Sequence, residues 1–153
     1  MKRRHFSSAL LATTAWLGLS LTECDRLAAL VGASDHDSVD VIAAVAASVI
    51  AEPGDATWGE CIANADPATV VGAIVQSSGA EEFASTLDLQ VDDVIRAGWA
   101  RWSPRLSLHA TVAAIEHAAR VRARLLLPTD ADWPPGLFDL GPHMPHVLYV
   151  RGD

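Results

Sequence analysis

Two tryptophans and three arginines share one short stretch of this sequence: Arg96, Trp99, Arg101, Trp102 and Arg105. A guanidinium pairs with phosphate oxygens and an indole stacks on a base, so these residue types interleaved are the chemistry of a single-stranded nucleic-acid surface. The spacing also has a purely structural reading. Trp99 and Trp102 stand three residues apart on one helix face, where large aromatics pack inward and leave the arginines outside. That packed reading is preferred for the tryptophans. Arg96, Arg101 and Arg105, together with Arg120, are the candidates for DNA contact. Arg122 and Arg124 continue the run, although cations at a helix C-terminus are favoured by the helix dipole without any ligand.

Other reactive residue types carry less. His143 and His146 are separated by two residues, but Pro142 and Pro145 restrict the backbone, and nothing in the spacing of Asp132 or Asp139 demands a third ligand. No metal site is expected, and no cofactor. Cys24 and Cys61 form no Cys-x-x-Cys pair. A nucleophilic thiol would need a base, for which His109 or His117 could be nominated only arbitrarily, so buried free thiols are expected. A Gly-rich phosphate loop, Gly-x-Ser-x-Gly and His-Glu-x-x-His are all missing from the sequence. An enzyme is not expected. Arg151-Gly152-Asp153 spells an adhesion tripeptide but reads more simply as the turn that stops a strand.

Composition bounds the classes open to the chain. Of 153 residues, half are hydrophobic and 20% are charged, enough apolar material for a core. Two cysteines exclude a disulfide scaffold. Net charge is −8 and unevenly distributed. Residues 35–95 hold twelve carboxylates and no Lys or Arg, whereas residues 96–127 hold six arginines and one carboxylate. The first block reads as a solvated acidic face, the second as the one place where a phosphate backbone could be held. No window is apolar enough for a membrane span.

The elements that must position these residues are mostly helical. Thr22-x-x-Asp25 opens a helix with Leu27, Leu30 and Val31 on one side, ending near Gly32. Ser38 opens a second, with Val41, Ile42, Val45, Val49 and Ile50, closed by Glu52-Pro53-Gly54-Asp55. Asp66-Pro67 is a cap followed by proline in the first turn, leading into Val70, Val71, Ile74 and Val75. A run from Val91 to Trp102 groups Val94, Ile95, Trp99 and Trp102. Ser103-Pro104 repeats the cap signal and starts Leu106 to Arg122, with Leu108, Val112, Ile115 and Ala119 on one stripe. Short helices with short links predict a compact bundle. After Arg124 the chain turns rich in Pro, Gly and Asp, and Val147–Val150 is β-prone.

The N-terminus has two readings. Lys2-Arg3-Arg4, the apolar residues to Leu19, and Leu21-Thr22-Glu23-Cys24 outline a twin-Arg-like or lipoprotein-like export signal. Glu23, however, stands where a small residue is needed. A cytoplasmic chain with an uncleaved helical extension over 1–37 is preferred, with an exported small helical binding protein as the alternative.

Arg124-Leu125-Leu126-Leu127-Pro128-Thr129-Asp130-Ala131-Asp132-Trp133-Pro134, then Leu137, Leu140 and Pro145-His146-Val147-Leu148-Tyr149-Val150-Arg151-Gly152, resembles the DNA-processing protein A family (DprA/Smf). The features in common are the aromatic-Pro pair, the Leu three residues on, and a Pro-x-x-Leu-aromatic-x-x-Gly strand. Val49–Asp55 is similar to a helix end near the start of some members. The resemblance implies a mainly α protein: a helical module similar to a sterile-alpha-motif fold over 38–123, then at 124–153 the β-containing lead-in to a Rossmann-like domain that is itself missing. In that family the Rossmann-like domain binds single-stranded DNA and supports recombinase loading during natural transformation. The implied function is thus a truncated member in which this region is an accessory, weak DNA-binding or interaction module. Trp133 is expected to be buried as a latch between the two parts.

Overall fold

The structure, a computed structural model, describes residues 18–152. The basic stretch at 1–17, and with it most of the export-signal outline, lies outside the described residues. Among the described residues are seven α-helices and one two-stranded antiparallel sheet. The helices are α1 (Leu21–Leu30), α2 (Ser38–Ile50), α3 (Ala56–Asn64), α4 (Pro67–Gln76), α5 (Ala80–Thr86), α6 (Asp93–Trp102) and α7 (Leu108–Arg120). The strands are β1 (Arg124–Leu126) and β2 (Leu148–Val150), joined through a 3-10 segment, Pro135–His143. The chain is mainly helical, as expected. No described helix is long and apolar enough to cross a membrane.

The helix starts follow capping chemistry, with the position corrected in three places. Ser20, not Thr22, caps α1: its hydroxyl accepts from the Glu23 N–H while Glu23 accepts from the Ser20 N–H, a complete capping box. Asp37, not Ser38, caps α2. Ser103-Pro104 forms a separate 3-10 turn, and Ser107 caps α7 instead. In each case the expected residue lies one to four positions from a neighbour that can also accept a hydrogen bond, and backbone geometry decides between them. Asp66 with Pro67 starts α4 as expected. Helix α1 stops at Gly32, whose φ of +69° permits the Ala33 N–H to reach back to the Ala28 carbonyl.

Two helices escaped the sequence reading. α3 is short, and its buried Trp58, Gly59 and Cys61 give no clear apolar stripe. α5 has seven residues and begins at Gly79 with no side-chain cap.

Helix α2 is the axis of the molecule. Nearly every residue from Val39 to Ala47 is buried, which a helix surrounded by others requires, and its four alanines let the neighbours approach. It packs against α1, α4 and α7. Its first half joins Cys24 and Leu27 of α1, Val31 just after it, Ile115 and Ala118 of α7, and Leu125, Leu127 and Val147 in one cluster. Its second half joins Trp58, Val70, Val71, Ile74, Phe83, Ile95 and Trp102 in another. The first cluster draws side chains from all three of the stretches 1–37, 38–123 and 124–153.

The last thirty residues are therefore packed onto the helices. Leu125 pairs with Tyr149 in the β1–β2 ladder, and the Leu125 N–H also donates to the Val31 carbonyl. Trp133 is 4% exposed, buried as expected. The 3-10 segment lies on α3, where Gly59 lets the Pro142 carbonyl come so close that a Cβ would sit 1.8 Å from its oxygen.

Candidate functional site

The arginine face is positioned by α6 and the turn after it. Asp92 caps α6 by accepting from the Ile95 N–H. This sets Ile95, Gly98 and Trp102 inward and leaves Arg96 and Arg101 outside. Val94, grouped with the inward residues in the sequence reading, is instead 56% exposed. The tryptophans pack. Trp102 lies 4.9 Å from Trp58 and meets Phe83 edge-on at 5.9 Å, while Trp99 lies 5.6 Å from Phe83. Trp102 is buried and Trp99 is half-buried.

Three of the four candidate arginines are engaged by the acidic block. Arg96 donates to Glu81 at 3.2 Å and to Asp93 at 3.3 Å. Arg101 donates to Asp55 Oδ2 at 3.1 Å, and Arg105 donates to Glu52. Arg120 is exposed in the last turn of α7 and makes no ion pair with any described residue. Its position suits the helix dipole. Arg124 pairs with Asp132 across the turn after β1. Three of the four candidates are thus paired with carboxylates from segments 15 to 53 residues away.

Asp55 is the centre of this arrangement. One oxygen caps α3 through the Trp58 N–H, and the other accepts from the Trp102 indole at 2.9 Å and from Arg101. Partial burial alone would raise its carboxyl. The bonds from Trp102, the Trp58 amide and Arg101 outweigh it and hold the group below its ordinary value.

A second concave region lies across α2. A cleft of about 620 Å³ opens between the start of α2, the α3–α4 junction and the turn after β1. A smaller one, about 250 Å³, opens beside the Glu52–Asp55 turn, and Met144 and His146 line both. At the larger cleft His36 Nε2–H donates to Asp130 Oδ1 at 2.7 Å. Asp130 also accepts from the Leu127 N–H, so this contact fastens the tail to the α1–α2 loop. His143 Nδ1–H donates to the Gly54 carbonyl at 2.8 Å, a second tether. The sequence reading missed this cleft. Its walls come from four separated segments, and only the isolated His143-x-x-His146 pair marked any of them.

The cysteines are buried thiols. Burial pushes Cys61 up to about 11 and raises Cys24 as well, far from thiolate chemistry at neutral pH. Among the described residues no group of three or more His, Cys, Asp and Glu is placed to hold a metal ion.

No protein-family model matches the chain. Neither a curated protein nor a solved structure is significantly similar to it.

Proposed function

We propose that the chain is the sterile-alpha-motif-like helical module of a cytoplasmic protein similar to DNA-processing protein A, and that it positions its strand-bearing tail for a Rossmann-like domain rather than gripping DNA itself. The observation that carries this reading is the seating of the tail. The residues of the resemblance, Leu125, Leu127, Trp133 and Val147, are buried, and β1 pairs in register with β2. A partner fold joined to such a tail would be held at a defined angle. Phe138, Leu140 and Tyr149, at 53%, 46% and 43% exposure, give the same tail apolar contact surface. The pairing of Arg96, Arg101 and Arg105 with carboxylates favours positioning over DNA capture, since counterion release needs cations free to meet phosphates. Recombinase contact, in this reading, belongs to the rest of the assembly, and the module performs no catalytic step.

Calorimetric titration of the chain with a separately expressed Rossmann-like domain of a DNA-processing protein A tests this. Saturable binding that Phe138→Asp weakens is expected, and absence of binding overturns the reading. Fluorescence anisotropy with labelled single-stranded DNA at low salt gives the second arm. Affinity no better than about 10⁻⁴ M is expected. Tight, steeply salt-dependent binding lost in Arg105→Ala or Arg120→Ala would assign DNA capture to the arginine face instead.

A further inference from the structure

The larger cleft, about 620 Å³, is as roomy as the roughly 300–1,000 Å³ sites in which proteins bury a ligand. Ile62, Leu127 and Met144 give it an apolar floor. Asp37, Asp40 and Asp66 line its rim, and no Lys or Arg among the described residues does. These groups are not idle. Asp37 and Asp66 cap α2 and α4, and none of Asp37, Asp40 and Ala68 is without a partner. The cleft therefore fits a resident occupant, built into the fold, better than a free ligand captured from solution.

Residues 1–17 have the matching chemistry. Lys2, Arg3 and Arg4 stand at the head of this segment, no Asp or Glu occurs in it, and Phe6, Leu10, Leu11, Trp16 and Leu17 follow. A basic head complements the acidic rim, and an apolar body complements the apolar floor. The segment also reaches. It joins the described chain at Gly18, six residues before Cys24. Burial and then nearby carboxylates, Asp37 among them, raise the Cys24 thiol, so this end of α1 lies beside the cleft rim. Seventeen residues span about 25 Å wound as a helix and about 55 Å extended.

We propose that residues 1–17 dock into this cleft of their own chain, with Lys2, Arg3 and Arg4 at the Asp37 and Asp40 rim and the apolar residues over Ile62, Leu127 and Met144. This inference does not depend on the DNA-processing reading. Met144 and His146 belong to the tail, so the docked segment would also brace the seating of the tail.

Ser7→Cys carrying a nitroxide label tests this in the full chain, through paramagnetic broadening of ¹⁵N-resolved amide signals. Cys24 and Cys61, at 0% and 3% exposure, do not compete for the label. Broadening is expected at Thr69 and Thr129 on the cleft wall and not at Val94 or Arg96 of α6. Lys2→Glu/Arg3→Glu/Arg4→Glu in the labelled chain should lose that broadening, and raised salt should reduce it. Ala63→Arg, at an exposed position on the cleft wall, should reduce it too by repelling the basic head. Labelled ¹⁴N chain mixed with unlabelled ¹⁵N chain should leave the cleft signals sharp. Broadening in that mixture would assign the seat to a second copy's segment and overturn the proposal. So would broadening spread evenly over the molecule, none at the cleft, or broadening that the charge-reversed head leaves unchanged.

Discussion

The two core clusters on either side of α2 are built from different materials. One is aromatic and keyed by a polar group: Trp58, Phe83 and Trp102 interlock, and Asp55 ties the Trp102 indole to the start of α3. The other is free of aromatic rings, made of Leu, Val, Ile and Ala with Cys24, and it carries the tail through Leu125, Leu127 and Val147. Aromatic rings fixed by a hydrogen bond have few alternative packings, whereas small aliphatic side chains rearrange more readily. The tail adds separable polar fastenings, among them His36 to Asp130, His143 to Gly54 and Leu125 to Val31. The difference teaches that helical integrity and tail seating are distinct properties here. Substitutions should therefore separate them.

Trp102→Ala attacks the aromatic side most directly. It removes a side chain 1% exposed, leaves a cavity against Trp58 and Phe83, and strands Asp55 without its indole donor. A loss of about 3–5 kcal/mol is expected, a large share of the ~5–15 kcal/mol that holds a domain folded. Urea denaturation followed by circular dichroism measures it, and a loss under about 1 kcal/mol would show the aromatic centre to be dispensable.

Asp55→Ala comes next, at about 2–3 kcal/mol, since it removes a helix cap and leaves a buried indole N–H without a partner. It also carries a pH signature. The folded-state carboxyl is held below its ordinary value near 3.8, so its contribution is full above that value and is lost as pH falls through the folded value. Wild-type stability should decline on the acid side below about pH 4, and Asp55→Asn should flatten that limb. An unchanged acid limb in the variant would remove Asp55 from its central place.

Gly59→Ala sharpens the comparison from the tail side. On helix propensity alone, alanine is better by about 1 kcal/mol. Here the new Cβ would lie 1.8 Å from the Pro142 carbonyl oxygen and 2.7 Å from its carbon, both backbone atoms that cannot swing aside. Overpacking of this kind costs about 1–3 kcal/mol, so sterics should win. Hydrogen exchange should locate the damage: amides of the 135–150 segment lose protection first, while those of α2 and α4 keep theirs. Uniform loss across all of them would merge the two regions into one cooperative unit.

How much of this was legible beforehand follows from distance along the chain. Asp66-Pro67 announced α4 because a cap and its helix are adjacent in sequence, and the packing of Trp99 and Trp102 follows from a three-residue spacing. Shifts such as Thr22 to Ser20 and Ser38 to Asp37 arise because neighbouring residues compete for one role. The partners of the arginines were not legible. Asp55 stands 46 residues before Arg101 and Glu52 stands 53 before Arg105. A block of charge in sequence therefore gave no measure of charge in space. The cleft was hidden for the same reason, its carboxylates and histidines being spread from His36 to His146.

The smallest effect belongs to the arginine face and completes the contrast. Arg105 and Glu52 are 44% and 65% exposed, so water and salt screen their pairing and two long side chains lose freedom to make it. Arg105→Ala should change stability by less than about 0.5 kcal/mol, and by less still as salt rises. Arg101 differs in one respect, since its carboxylate partner is only 10% exposed and already bound by Trp102. Arg101→Ala should therefore cost more than Arg105→Ala in parallel denaturation curves, with the gap closing in an Asp55→Asn background. If the two arginine variants are indistinguishable there and in the native background, the pairing of Arg101 is as superficial as that of Arg105, and the Asp55 centre ends at Trp102.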